Sequence, residues 1–154
     1  FQNADSQGVL AFRLLKNPWF RAIGEVIDPY YFVSQGLEAA FHQQAVVTET
    51  MVMRYYDLAL RQGTRKATMK RFSATDDEKY QTQDLAQIKA PTLLMWGKED
   101  AVAPFALASG YETLIPSIST AYYDGVGHIP MEEVPEISAA DLIAFMKKIK
   151  GKDK

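Results

Sequence analysis

Apolar residues in the first half of the chain recur at the spacing of helices. From residue 8 to about residue 80 they lie three and four positions apart, with short polar or proline-containing breaks between the runs. This pattern predicts a series of short helices. The best-defined helix begins at Thr48, whose hydroxyl can cap the first turn, and ends at Gly63. We predict that the other helices begin near Gly8, Pro18, Pro29 and Thr64, and that residues 73–79 form a polar loop.

The second half of the chain has a different pattern. Residues 92–96 form a continuous apolar run that Gly97 closes, which is typical of a parallel strand buried on both faces. A helix is predicted over residues 104–115 and a second strand over residues 119–123, and together they make a strand-helix-strand crossover. The apolar spacing over residues 135–149 predicts an amphipathic final helix.

Two strands are too few for a sheet of this buried kind. A parallel sheet needs further strands beside it and helices on both faces. We therefore expect the sheet to be completed by a preceding segment, a companion polypeptide or a second copy of the chain. The chain begins at Phe1 rather than at methionine, which favours a preceding segment or a companion.

The composition is that of one soluble globular unit. The 154 residues are 47% hydrophobic and 23% charged, and 17 Lys and Arg against 19 Asp and Glu give a net charge of −2. This balance provides no broad positive field, so nucleic acids and anionic membrane surfaces are not expected partners. The sequence has no apolar run long enough for a membrane span and no signal-peptide pattern, and we expect a cytoplasmic protein.

The side chains available for chemistry are few. The chain has no cysteine, which excludes disulfides, thiolate nucleophiles and cysteine metal sites. Its two histidines are His42 and His128. The loop after the first predicted strand carries Asp100, and the loop after the second carries His128. Because the carboxyl ends of parallel strands meet at one edge of a sheet, this acid and this imidazole should converge.

An aspartate and a histidine placed in this way can form an acid–base pair. A carboxylate that accepts a hydrogen bond from one imidazole nitrogen leaves the other nitrogen free to take a proton from a nucleophile or water. The same loops contain two alternative acids, Glu99 and Asp124. Asp124 precedes Gly125, and this dipeptide is better explained as a turn. The residues alone leave Asp100 as one of three candidate partners of His128.

The two loops resemble the closing motifs of a known enzyme superfamily. Residues 91–100 read PTLLMWGKED and are followed by Pro104, and residues 127–130 read GHIP and are followed by Glu133 and Pro135. These motifs resemble the α/β-hydrolase superfamily, specifically its capped branch of small esterases, lipase-like hydrolases, epoxide hydrolases and haloalkane dehalogenases.

The resemblance implies an α/β fold and a division of the chain. Residues 1–88 would form an all-helical cap with an N-terminal connector, and residues 89–154 the C-terminal part of the core, a parallel sheet with flanking helices. It assigns the triad acid to Asp100 and the base to His128, in the order acid before histidine. It requires neither a metal nor an organic cofactor.

The nucleophile of that superfamily is missing from this chain. None of the seven serines has glycine both two residues before and two residues after it, so no G-x-S-x-G elbow is present. We expect the nucleophile and the oxyanion loop to lie on an N-terminal portion of the same hydrolase. That portion is then a required partner, and the chain is expected to be inactive without it.

Three functions are compatible with these residues. The first is hydrolysis of a small apolar ester through a Ser-His-Asp triad. The second uses an aspartate nucleophile on an epoxide or a haloalkane. The third is a non-catalytic, hydrolase-like protein that only binds a ligand. Val102 and Ile129, beside the acid and the base, resemble pocket positions of the family. Phe32 and Tyr55 are candidate pocket residues of the cap, and core packing is the alternative for both.

Overall fold

The computed structural model describes residues 27–73 and 82–151 of the chain. The helices predicted near Gly8 and Pro18 and residues 74–79 of the predicted loop lie outside these ranges. The described α-helices and strands are α1 (Tyr30–Ala40), α2 (Glu49–Leu60), α3 (Thr64–Ser73), β1 (Thr92–Gly97), α4 (Ala108–Leu114), β2 (Ile118–Tyr123), α5 (Pro130–Glu133) and α6 (Pro135–Lys150). Short 3-10 turns lie at Gln44–Val46, Thr82–Gln87 and Phe105–Leu107.

Residues 30–73, here called the helical segment, contain the three helices predicted from the apolar spacing. Thr48 caps α2 as expected, because its hydroxyl oxygen accepts a hydrogen bond of 3.3 Å from the backbone N–H of Met51. Helices α1 and α2 pack together around one small buried cluster. Its members are Leu37, Ala40, Phe41 and Val52.

The predicted crossover is confirmed. β1 and β2 are parallel neighbours, joined by a connection that contains α4. Their register aligns Thr92 with Ile118 at one end and Gly97 with Tyr123 at the other. Both strands therefore end at the same level, and the loops that leave them start side by side.

The sheet is less buried than predicted. Residues 92–96 are only partly buried, and Gly97 is the one buried residue of β1. Within the described residues β1 is thus not buried on both faces, as a strand in the completed sheet was expected to be. The reason is the small sheet, since each described strand has a single neighbour. On α6, Leu142 and Met146 of the predicted apolar face are likewise exposed.

Helix α6 is tied to β2 through a tyrosine. The hydroxyl of buried Tyr123 donates a 3.0 Å hydrogen bond to Asp141 of α6. Burial and this carboxylate raise the pKa of Tyr123 to about 12.

Within the described ranges, no helix combines the length and apolarity that crossing a bilayer would need.

Close backbone contact joins the end of β1 to the loop after β2. A Cβ atom at Gly97 would overlap the carbonyl oxygens of Val126 and Gly127. Both clashing groups are backbone, so a side-chain rotation cannot relieve them. Glycine is thus required at the last position of β1 for the second loop to lie where it does.

We expect Gly97→Ala to lower the free energy of unfolding by about 3 kcal/mol or more, because the methyl group must push backbone atoms apart. Urea titration followed by circular dichroism measures this loss. The matched control is Gly36→Ala in α1, where a Cβ atom meets nothing within 4 Å. That change should stabilise the helix by about 0.5–1 kcal/mol. Equal stability of both variants would contradict the proposed contact.

Candidate active site

The loop of residues 124–128, here called the histidine loop, is held from one side by the loop after β1. A single carboxylate oxygen of Glu99 accepts hydrogen bonds from the backbone N–H groups of Gly125, at 2.7 Å, and Val126, at 3.1 Å. The Glu99 N–H in turn donates to the carbonyl of Val126 at 3.1 Å. These bonds fix the start of the histidine loop against β1.

The other side of the histidine loop is held by Glu133 and by the end of α1. Glu133 accepts a 2.7 Å hydrogen bond from the N–H of Gly127. The next N–H, that of His128, donates to the carbonyl of Ala40 at 2.6 Å. All four N–H groups from Gly125 to His128 therefore have acceptors outside the loop, which leaves its backbone little freedom.

Asp100 and His128 form the pair that the sequence predicted. The Nδ1 atom of His128 lies 2.8 Å from one carboxylate oxygen of Asp100. The other oxygen accepts hydrogen bonds from the N–H groups of Val102, at 2.8 Å, and Ala103, at 2.7 Å. With two N–H donors already on it, the carboxylate acts as an acceptor toward the ring. Nδ1 then carries the proton, and Nε2 is left as the basic nitrogen.

The two partners of this pair differ in burial. The Asp100 side chain is 3% exposed, whereas that of His128 is 42% exposed. The hydrogen bond that His128 donates to Asp100 raises the pKa of His128 above its usual 6.5. Burial opposes this increase, and the negative charge of Asp100 adds to it. The arrangement thus gives a strengthened base that is open on one side.

The alternative acids have other partners. Asp124 accepts a 2.7 Å hydrogen bond from the ammonium group of Lys98, and its side chain is 82% exposed. Glu99 is occupied by the backbone of the histidine loop. In the described part of the chain, Asp100 is the carboxylate that contacts the His128 ring.

The four predicted pocket residues are only partly brought together. Val102 and Ile129, which flank the acid and the base, pack against the buried cluster of the helical segment. Tyr55 packs against the same cluster, and its hydroxyl donates a 2.9 Å hydrogen bond to Glu132. Phe32 lies instead against Tyr31, with ring centroids 5.9 Å apart.

Sequence analysis missed the roles of two acidic residues after the histidine. Glu133 belongs to the motif that follows GHIP at residues 127–130, but its spacing did not indicate that it accepts hydrogen bonds from backbone N–H groups. Glu132 binds Arg54 and Tyr55 of α2. A signal for these roles was present in the sequence, namely two acidic residues shortly after His128 in a short helix that begins with Pro130.

Among the described residues, no group of three or more histidine or acidic side chains is placed to hold a metal ion.

We expect Asp100→Asn to lower the pKa of His128 toward 6.5, because the charged hydrogen-bond partner is lost. Titration of the imidazole signals by NMR measures this, and Asp124→Asn is the control that should leave the value unchanged. In the native chain, the interaction of protonated His128 with Asp100 stabilises the fold most below pH 6.5. This stabilisation is lost as the pH rises through the pKa of His128 in the folded state. A His128 pKa that is the same in Asp100→Asn would refute the pairing.

Comparison with known proteins adds to this geometry. No protein-family model matches the chain. Lipase 1 of Psychrobacter immobilis is 31% identical over 71 residues, which cover 46% of this chain and 22% of the lipase. The non-heme chloroperoxidase of Streptomyces lividans is 35% identical over 77 residues, or 49% of this chain and 26% of that protein.

The fold is shared with solved structures. An esterase from Exiguobacterium antarcticum superposes with a TM-score of 0.70 at 21% identity, covering 89% of this chain and 47% of the esterase. The matched regions are thus about a quarter of the two curated relatives and about half of the solved esterase. These likenesses point to the α/β-hydrolase superfamily, and the described residues have a fold consistent with the C-terminal portion of an α/β-hydrolase.

Proposed function

We propose that this chain supplies the acid and the base of a Ser-His-Asp triad in a carboxylic ester hydrolase. The proposal depends on one observation: the buried Asp100 carboxylate, fixed by two N–H groups, holds Nδ1 of the more exposed His128 at 2.8 Å. The similarity of this chain to a lipase and to the structure of an esterase supports ester hydrolysis as the reaction.

In this mechanism His128 transfers one proton in each half of the reaction. Its Nε2 takes the proton of the serine hydroxyl as the serine oxygen attacks the ester carbonyl carbon, and Asp100 stabilises the resulting imidazolium. His128 then protonates the departing alkoxide, which leaves as an alcohol. The acyl group remains covalently bound to the serine. Finally His128 takes a proton from water as the water oxygen attacks the acyl carbonyl carbon, and it returns that proton to the serine oxygen as the carboxylic acid leaves, which restores the free serine.

The nucleophile and the oxyanion hole belong, in this proposal, to an N-terminal portion outside the chain. Residues 1–88 serve as the cap and residues 89–154 as the C-terminal part of the core. Val102 and Ile129 support an apolar substrate, because both flank the triad residues and pack against the buried cluster of the helical segment. A small ester with an apolar acyl group fits such surroundings.

The identity of the nucleophile is the first point to test. Native and denaturing mass spectra of the protein purified from its source would show whether a second polypeptide accompanies this chain of 17.3 kDa. A fluorophosphonate probe then labels an activated serine. Labelling supports the esterase, whereas an unlabelled partner with aspartate at the elbow would redirect the proposal to an epoxide or haloalkane hydrolase.

We expect His128→Ala to reduce turnover of p-nitrophenyl butyrate at least about 1,000-fold in the protein that contains the nucleophile, because the serine loses its base. The 154-residue chain alone should show no turnover. His42→Ala is the matched control, since it removes the only other histidine of the chain, which is exposed. Undiminished turnover in His128→Ala would exclude both the serine and the aspartate mechanism, whereas a native protein without any turnover would favour the non-catalytic role.

A further inference from the structure

Glu133 is a buried acid that binds two distant parts of the chain. The residue is 6% exposed. One of its carboxylate oxygens accepts the N–H of Gly127 in the histidine loop at 2.7 Å. The other accepts the N–H of Gln43, just after α1, at 2.6 Å. A single side chain therefore bridges the histidine loop and the helical segment.

The two bridged backbones lie in direct contact. A Cβ atom at Gly127 would overlap the carbonyl oxygen of Ala40 and lie 2.8 Å from the amide nitrogen of His42. The N–H of His128 donates to that same Ala40 carbonyl. The Gln43 side chain adds a 3.0 Å bond to the carbonyl of the histidine loop's Gly125. Residues 40–43 thus form one wall of the histidine loop.

The chemistry of the bridge requires a carboxylate. Burying a charged group is costly unless it is paired or hydrogen-bonded, and among the described residues no ion pair involves Glu133. Its charge is stabilised by the two N–H donors instead. A glutamine side chain offers one acceptor oxygen and one N–H₂ group, so it can accept from only one of these two donors without turning a donor toward the other.

We propose that Glu133 is a positioning residue for His128. By holding Gly127 and Gln43 together, it keeps residues 40–43 in contact with the histidine loop, and this contact is required for the imidazole to lie against Asp100. The inference rests on the proposed function, because the placement of the ring matters for a reaction only if His128 is the base. It couples the helical segment to the base through backbone contacts.

The neighbouring glutamate provides a natural contrast. Glu132 also joins α5 to the helical segment, but through the side chains of Arg54 and Tyr55 on α2 rather than through the histidine loop. Loss of Glu132 should therefore weaken the packing of α2 without moving the ring of His128. Comparing variants of Glu132 and Glu133 therefore distinguishes a loss of fold stability from a loss of positioning of the base.

The test uses the imidazole signals of the full 154-residue chain, which has only two histidines. We expect Glu133→Gln to lower the pKa of His128 toward 6.5 and to remove the low-field signal of its Nδ1 proton, because the ring moves away from Asp100. Glu132→Gln, which makes the same change of charge one residue earlier, should preserve both signatures. A thermal melt of each variant records the loss of stability separately.

A second pair of variants addresses the bridge from its other end and decides the matter if Glu133→Gln does not fold. Gln43→Pro removes the backbone N–H that Glu133 binds, at a residue whose φ of −86° is close to the value proline requires. Gln43→Ala keeps this N–H and removes only the side chain. We expect Gln43→Pro to lower the pKa of His128 and Gln43→Ala to leave it raised.

The outcomes separate this inference from the proposed function. If native His128 shows neither a raised pKa nor the low-field proton, the Asp100–His128 pair and with it the proposed triad fail. If the native chain shows both, and both persist in Glu133→Gln or, where that variant is unfolded, in Gln43→Pro, the positioning role of Glu133 is overturned. A lower melting temperature with unchanged His128 signals would make Glu133 a purely structural residue.

Discussion

The histidine loop can lie where it does only because its backbone N–H groups find acceptors there. Gly125 and Val126 donate to Glu99, Gly127 donates to Glu133, and His128 donates to the end of α1. These acceptors come from separate parts of the fold, the loop after β1, the short helix α5 and the helical segment. The position of the imidazole is therefore a property of the assembled fold and not of the loop itself.

Three carboxylates around this loop have different roles because they contact different groups. Asp100 touches the ring and strengthens the base. Glu99 and Glu133 touch only the backbone and act as substitutes for the carbonyl groups that a sheet or helix would provide. An aspartate or glutamate near a histidine is thus not by itself a catalytic acid, and its hydrogen-bond partners decide what it does.

The strands and the contact between Asp100 and His128 could be predicted because their signals are local. An apolar run closed by Gly97 marks β1, and the geometry of parallel strands brings the following loops of Asp100 and His128 together. The bridge through Glu133 could not be predicted in this way. It joins residues 90 positions apart, and its partners are backbone atoms that every residue possesses. The partial burial of β1 could not be predicted from its apolar run, because such a run is typical of a strand with neighbours on both sides in a larger parallel sheet.

The hydrogen bond between Tyr123 and Asp141 has a consequence for how the site responds to acidity. A phenol with a pKa of about 12 keeps its proton throughout the neutral range. The Tyr123 hydroxyl therefore keeps its proton over the pH range that titrates the imidazole of His128, only a few residues further along the chain. Acidification can thus charge the ring of His128 while the Tyr123 hydroxyl still carries the proton with which it donates to Asp141 of α6.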